Sequence, residues 1–467
     1  MSRIRATAGT AATVAAGLAA IRDEFDVPGE FSKEVLREAD AAAAAWREHD
    51  RPDRTDLPLV TLDPATATDL DQAFAIEEDG DDLVLRYAIA NLGAFVEPGG
   101  AMERELWQRG VTVYLPDGKA NLHPPVLSEG AASLLPGERR PAVLLTVAVD
   151  RDGEVALRSA ERVVVKSRAK LAYETVEPRE LPEQLRAFAE RIRLAEDRRG
   201  ASRVEFPEQE VTPDPDRPGD YLLRLRPRLP TEDENAALSL AANLAVAAAL
   251  FDARTGLFRV MDEPDEREVR ALRHTARALS VDWPKDMDLR TFQRSLDTAD
   301  PNAAAFLIAV RRAGGGASYA PFAEGDPPWH AAIAATYVHA TAPLRRLADR
   351  YVLDAAIAVS AGESVPEYVT TAFGELSEVM SRADSRSSKV DRAAIDLVEA
   401  VALHGHEGDV FDAVVVDTDE RDGAKVQLHG IAVMARVVKP GSEPGDDLRL
   451  QLVSADPAAR RVEFLPL

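Results

Sequence analysis

The chain has no cysteine among its 467 residues. No disulfide framework, zinc finger, thiolate nucleophile or iron–sulfur cluster can be built from it, which fits an intracellular protein and leaves oxygen and nitrogen as metal ligands. Positive charge is also short. The 56 Lys and Arg stand against 80 Asp and Glu, a net of −24, and nucleic-acid binding ordinarily draws on clustered Lys and Arg facing phosphates. Long apolar runs are missing as well: no stretch reads as the roughly 20 apolar residues of a membrane span. Residues 6–20, although preceded by Arg3 and Arg5, carry too few leucines for a secretory signal. A cytoplasmic protein with no membrane segment is expected. What remains is a foldable composition, 46% hydrophobic, long enough for two to four domains of about 100–200 residues each.

The acidic average hides local structure, because residues 158–203 hold 12 basic and 8 acidic residues. Taken alone that cluster reads as a solvated helix with paired charges. Along the chain, 21–46 has helical spacing broken at Pro28, and the polar stretch to Asp56 reads as a linker. Residues 59–63 and 83–89 read as strands, and 142–149 with 155–165 as a hairpin about Asp150–Gly153. From Thr231 the period becomes helical, over 235–254, 265–279, 302–312, 341–360 and 365–403. After His404 short alternating strands return at 410–416, 424–428, 432–437, 448–453 and 462–465, which suits a small OB-like barrel. The expected class is α+β: a helical arm and linker at 1–56, a body of mixed sheet and helices at 57–404, and an OB-like β-barrel at 405–467.

Two constellations can carry chemistry. Asp63, Asp69 and Asp71 cluster within residues 61–73, with Asp69 and Asp71 two apart on an extended segment and Asp63 before a loop led by Pro64. Three such carboxylates suit a hard cation that also binds substrate phosphate, although an Asp-rich turn has the same composition. In the second, residues 337–349, a Pro343 loop opens a helix bearing Arg345 and Arg346. A guanidinium at a helix start matches phosphate oxygens, while Arg346 could equally pair with Asp349. His339 either lines such a site or is buried and hydrogen-bonded. His404 and His406 read as linker residues.

These stretches together resemble the ribonuclease II / RNB-domain family of 3′→5′ exoribonucleases. Matching segments run collinearly from about 57 to 404: 61–73, 87–99, 109–116, 127–137, 169–173, 240–243, 258–260 and 341–346. The resemblance implies an RNB-like catalytic domain whose paired N-terminal cold-shock domains are replaced by a short helical arm, followed by the terminal OB-fold. It implies Mg²⁺ or Mn²⁺ held by Asp63, Asp69 and Asp71, with Asp71 the carboxylate on which the chemistry most depends. Arg345 matches the arginine that contacts the scissile phosphate, with Arg346 beside it in the substrate-binding set. Tyr114 and Tyr173 match aromatics that clamp the 3′-terminal nucleotides, and Phe206 an aromatic wedge. Asp391 falls where the family has a glutamate near the terminal nucleotide. Tyr173 and Phe206 also have a plain core-packing reading.

Departures accompany the matches. Gln72 stands where the family has a fourth aspartate, Asn91 where aspartate is usual, Ala236 and Ala237 where acidic residues are common, and Met261 in place of a common histidine. A neutral Gln72 offers only a carbonyl oxygen. Two functions follow from the resemblance: a metal-dependent 3′→5′ exoribonuclease acting on single-stranded RNA, expected to be a monomer, or a catalytically weakened RNB-fold RNA-binding or regulatory protein. The tail, with 7 basic and 12 acidic residues in 405–467, is expected to grip RNA less strongly than its family counterpart, since single-strand grooves are basic.

Overall fold

The computed structural model describes residues 4–5, 10–48, 51–201, 208–213, 221–226, 228–296, 301–313, 316–418, 423–429, 433–439, 441–442 and 445–467. A six-stranded sheet forms the centre of the body. Its strands lie in the order Val155–Lys166, Arg139–Val149, Asp82–Ala90, Gln72–Asp79, Val60–Asp63, Ala169–Ala172. All neighbours are antiparallel except the last pair, where Val60 to Asp63 run parallel to Ala169 to Ala172. Arg139–Val149 is apolar almost throughout and buried on both faces, as a central strand must be, whereas Val155–Lys166 at the edge begins by alternating between half-buried and exposed residues.

The helices Pro230–Asp252 and Leu347–Ser360 pack across this sheet. Against the expectation of no such stretch, Pro230–Asp252 is, by length and composition, apolar enough to cross a membrane. It is half buried here, with Leu238, Ala241, Ala242, Val246 and Leu250 in the main core, as befits a core helix. The helix Glu367–Leu403, 37 residues, runs from the body to the C-terminal barrel and packs on both. The N-terminal helices Thr10–Glu24 and Lys33–Ala45 leave a break about Pro28, as the spacing of 21–46 predicts, but the first begins at Thr10, before the range expected to be helical. Gly17 makes the first of them fit: a Cβ there would lie 2.6 Å from Leu397 of the long helix.

The tail forms a five-stranded antiparallel sheet in the order Met434–Val438, Gly423–Leu428, Val410–Thr418, Asp447–Asp456, Arg461–Pro466. Its two edge strands lie against each other, so the sheet is nearly closed into an OB-like barrel. A third, small helical module, Glu266–Ala278, Leu289–Ser295 and Pro301–Ala313, has its own core around Trp283, stacked on Phe292 with ring centroids 5.0 Å apart. The α+β expectation thus holds, while the helix expected over 341–360 starts only at Leu347.

Candidate active site

Asp63 closes the strand Val60–Asp63, and Asp69 and Asp71 lie on the loop that leads into Gln72–Asp79. That loop is held from both sides. Lys170 Nζ donates to the carbonyls of Ala65 and Ala67 at 2.7 and 2.5 Å, and Ser133 Oγ donates to Thr68 O at 2.8 Å while accepting from Leu70 N at 2.9 Å. Leu70 is buried between the acids, so the two flanking aspartates turn to one cavity of about 1530 Å³, also lined by Asp63, Gln72, Tyr114, Tyr173, Arg345 and Arg346.

The three carboxylates are in different electrostatic states. Asp71 is buried, its Oδ1 accepting from Leu344 N at 2.7 Å and its Oδ2 standing 3.8 Å from Arg345 Nε. Burial outweighs that guanidinium and pushes its pKa up to about 8. Asp63 is likewise pushed up to about 7 by burial, against Lys170, and its Oδ2 is buried with no hydrogen-bond partner. Asp69 is drawn elsewhere: Oδ1 accepts from Lys119 Nζ at 2.9 Å, and Tyr114 OH reaches Oδ2 at 3.5 Å. Lys119 also reaches Glu129 at 3.1 Å. Among the described residues no group of three acids and histidines stands close enough to hold one ion. The gathering of Asp63, Asp69 and Asp71 expected from their spacing therefore takes the form of one shared cavity, because Lys119 holds Asp69.

A divalent cation is what the family resemblance implies, and Asp63 and Asp71 fit one. The donors are all oxygen, one of them is a buried carboxylate oxygen without a partner, and Mg²⁺ commonly needs only one or two protein carboxylates beside water and substrate phosphate. Gln72 is not available for that role. Its amide donates to Thr341 O at 2.6 Å and its oxygen accepts from Tyr87 OH at 2.8 Å, while that hydroxyl also contacts Ser239 Oγ at 2.8 Å.

The two arginines separate cleanly. Arg345 is 46% exposed and faces the cavity. It lies before the helix rather than in its first turn, since Arg346 is the N-cap of Leu347–Ser360. Pro343 disfavours a helical Ala342, and the free N–H groups of Ala342 and Leu344 are spent on Asp349 and Asp71. Arg346, expected to bind substrate, is instead committed to Asp349 through two bonds of 3.0 and 2.8 Å, with Asp349 0% exposed. It forms part of the cavity wall as one half of a buried ion pair.

Among the expected nucleotide contacts, Tyr114 lines the cavity and is 45% exposed. Tyr173 lines it too, its hydroxyl accepting from Asn235 Nδ2 at 2.6 Å. Phe206 lies outside the described residues. Asp391 does not reach the site: it is exposed on the long helix and absent from the cavity lining. Two turns earlier, Asp384 pairs with Arg259 at 3.2 Å, and by Asp391 the helix has run about 10 Å further toward the barrel. His339 satisfies both of its readings, lining the cavity and sharing a 2.8 Å bond with Tyr319 OH. Burial holds its pKa well below the usual value. The basic cluster supplies the helix Leu185–Arg199, whose Arg186 and Arg193 line the cavity, Arg193 within ion pairs to Glu190 and Asp197. Lys119 carries no signal in the sequence, and Asn243, which accepts from Ala340 N at 2.9 Å, lies in the matching segment 240–243 without a role assigned to it; their partners are 50 and 97 residues away.

Known proteins share this fold. The RNB domain matches residues 51–358, and the RNase II-type exonuclease C-terminal S1 domain matches residues 409–467. Ribonuclease R of Thermotoga maritima is 28% identical over 441 residues, which cover 85% of this chain and 59% of that protein. The chain thus spans about three fifths of the length of that relative. Among solved structures, Mycoplasma genitalium RNase R in complex with ribose-methylated single-stranded RNA is similar with a TM-score of 0.85 at 18% identity, covering 97% of this chain and 78% of that one. Yeast Ssd1, a pseudonuclease, is similar with a TM-score of 0.67 at 16% identity, over 87% and 53%. Both likenesses concern the fold. With the RNB domain covering well over half of its length, this chain belongs to the RNB-domain family, with an RNase II-type S1 domain as its C-terminal barrel.

Proposed function

We propose that the chain is a 3′→5′ exoribonuclease that hydrolyses single-stranded RNA to nucleoside 5′-monophosphates. The observation that carries the reading is the pairing of an exposed Arg345 with a buried Asp71, 3.8 Å apart, in a cavity walled by Tyr114 and Tyr173. Asp63 and Asp71 would hold a divalent cation, Mg²⁺ or Mn²⁺, which supplies Lewis-acid polarisation of the phosphodiester and a more acidic water. Arg345 would neutralise charge on the pentacoordinate phosphate as water attacks, its planar fork matching two phosphate oxygens. Tyr114 and Tyr173 hold the last bases, and stacking accepts any base because each has a π-face. The relatives' names, ribonuclease R above all, support this substrate class.

The test incubates 5′-labelled poly(A) with the protein in Mg²⁺, in Mn²⁺ and in EDTA and resolves the products on a sequencing gel. A metal-dependent ladder that shortens from the 3′ end is expected, and it should vanish in Asp71→Asn while binding persists. Cleavage retained in that variant would sink the assignment. A second reading, RNA binding without turnover, is favoured by one observation: the Gln72 side chain is hydrogen-bonded at both ends. It expects intact RNA in every lane together with a gel shift.

A further inference from the structure

Lys119 Nζ sits where two carboxylate oxygens converge, 2.9 Å from Asp69 Oδ1 and 3.1 Å from Glu129 Oε1. All three side chains line the cavity of the candidate site. The Lys119 side chain is only 22% exposed, and the hairpin that carries it is fixed. Val113–Leu115 pairs with Gly118–Ala120, Leu122 N donates to Thr112 Oγ1 at 3.0 Å, and Asn121 Nδ2 donates to the same Glu129 Oε1 at 3.1 Å. A point that gathers oxygens from two carboxylates is where a divalent ion would otherwise bind, with modest closing of the ligands to about 2.0–2.1 Å for Mg²⁺. Gln72, the other candidate donor beside Asp71, has both ends turned to Tyr87 and Thr341. Among the described residues that line the cavity, Asp63 alone keeps a buried carboxylate oxygen without a partner.

We propose that Lys119 is a resident cation of the site: its ammonium fills the oxygen pocket of Asp69 and Glu129, so that the chain takes up one divalent ion, at Asp63 and Asp71, and no second. This rests on the reading of Asp63 and Asp71 given above. An ammonium supplies positive charge and three N–H donors at a fixed place, carries no exchangeable water, and does not depend on the supply of divalent ions. Lys119 is thus a positioning residue that acts through Asp69. Its loss should convert a site with one divalent ion into a site with two.

The experiment counts Mn²⁺ bound to the full-length chain by titration, following the free ion by electron paramagnetic resonance. The native chain should show one saturable site, Lys119→Ala two, Lys119→Arg one, and Lys119→Ala with Glu129→Gln one again. Two sites in the native chain, or one in a Lys119→Ala variant with an unchanged melting profile, would overturn the proposal. Should Lys119→Ala fail to fold, Asp69→Asn decides. That variant should keep the single ion at an affinity within about threefold, and a tenfold loss would make Asp69 a ligand of that ion and end the argument. The count is independent of turnover. One ion bound with no RNA degraded removes the exoribonuclease reading and leaves Lys119 in place; two ions bound with RNA degraded does the reverse. No bound ion in the native chain removes both the resident cation and the metal-dependent reading.

Discussion

Burial pushes the Asp63 and Asp71 carboxyls up to about 7 and about 8, which makes the stability of this protein fall with rising pH, and Asp71→Asn exposes that dependence. Asp71 is pushed up to about 8 from 3.8. An acid whose folded pKa lies above its unfolded value keeps a proton in the folded chain that the unfolded chain has lost, so stability falls as pH rises from about 4 to about 8. At ~1.36 kcal/mol per pKa unit, the native aspartate costs about 2 kcal/mol at pH 5.5 and about 5 kcal/mol at pH 8.5, relative to a neutral group of the same shape. Asparagine is that group, and its oxygen still accepts the Leu344 N–H that now reaches Asp71 Oδ1 at 2.7 Å. In EDTA the variant should be the more stable protein, by a margin that grows by about 3 kcal/mol between pH 5.5 and 8.5. Urea unfolding at the two pH values, followed by circular dichroism, measures the margin. Saturating Mg²⁺ should stabilise the native chain more at pH 8.5 than at pH 5.5, because the ion competes with the proton. A variant less stable than the native chain at pH 8.5 in EDTA, or a margin that does not change with pH, would refute the claim that burial rather than a local partner sets the state of Asp71.

Three further outcomes follow from the same geometry. Arg346→Ala leaves Asp349, 0% exposed, as an unpaired buried charge and should cost about 3–5 kcal/mol in denaturant unfolding; Arg345→Ala, at 46% exposure, should shift stability by less than about 0.5 kcal/mol yet slow RNA hydrolysis about 10²–10³-fold in single-turnover assays. Gln72→Leu strips Thr341 O of its donor and should lower stability by about 1–3 kcal/mol, with Tyr87 protected in part by its contact with Ser239. His123, buried and donating to Leu344 O at 3.2 Å, is depressed to about 3 by burial. A depressed histidine contributes stability above pH 6.5 that is lost as pH falls toward 3, so His123→Gln should flatten the acid limb of the stability profile by up to about 1.4 kcal/mol per pH unit between 6 and 4.

Which parts of this molecule could be read in advance follows from what each signal depends on. Period-2 and period-3.6 patterns depend on burial of one face, so the strands at Val60–Asp63 and Asp82–Ala90, the hairpin Arg139–Val149 with Val155–Lys166, the long helix and the barrel strands all fell near their expected places. The acids at 63, 69 and 71 were visible because they share one short loop. The helix start at Leu347 was not, since it turns on N–H groups captured by carboxylates 7 and 273 residues away. Lys119 was invisible for the same reason: its hairpin reads as an ordinary turn, and only the fold sets its ammonium between Asp69 and Glu129. Asp391 was placed by a match in sequence order, and it lies on the long helix, none of whose residues is among those lining the cavity.

The proposed chemistry depends on one backbone segment, 340–347, whose polar groups are largely taken by distant parts of the chain. Ala340 N donates to Asn243, Ala342 N to Asp349, Leu344 N to Asp71 and Leu347 N to Gly110 O. In the other direction Thr341 O accepts from Gln72, Leu344 O from His123, and Arg345 O from Thr112 N at 3.0 Å. Gly110 can sit there only because it has no side chain: its φ is +71°, and a Cβ would lie 2.6 Å from that of Ala383. The loop is thus clamped along both edges, and the side chain of Arg345 projects from it toward the cavity. Donors fixed in this way need no reorganisation when charge develops on a phosphate, whereas a displacement of about 1 Å can cost about 10²-fold in rate. Gln72, Asn243 and His123 would therefore bear on the proposed hydrolysis through the position of Arg345. The glutamine that replaces an expected carboxylate gives up a ligand and gains a hold on the loop that carries the arginine.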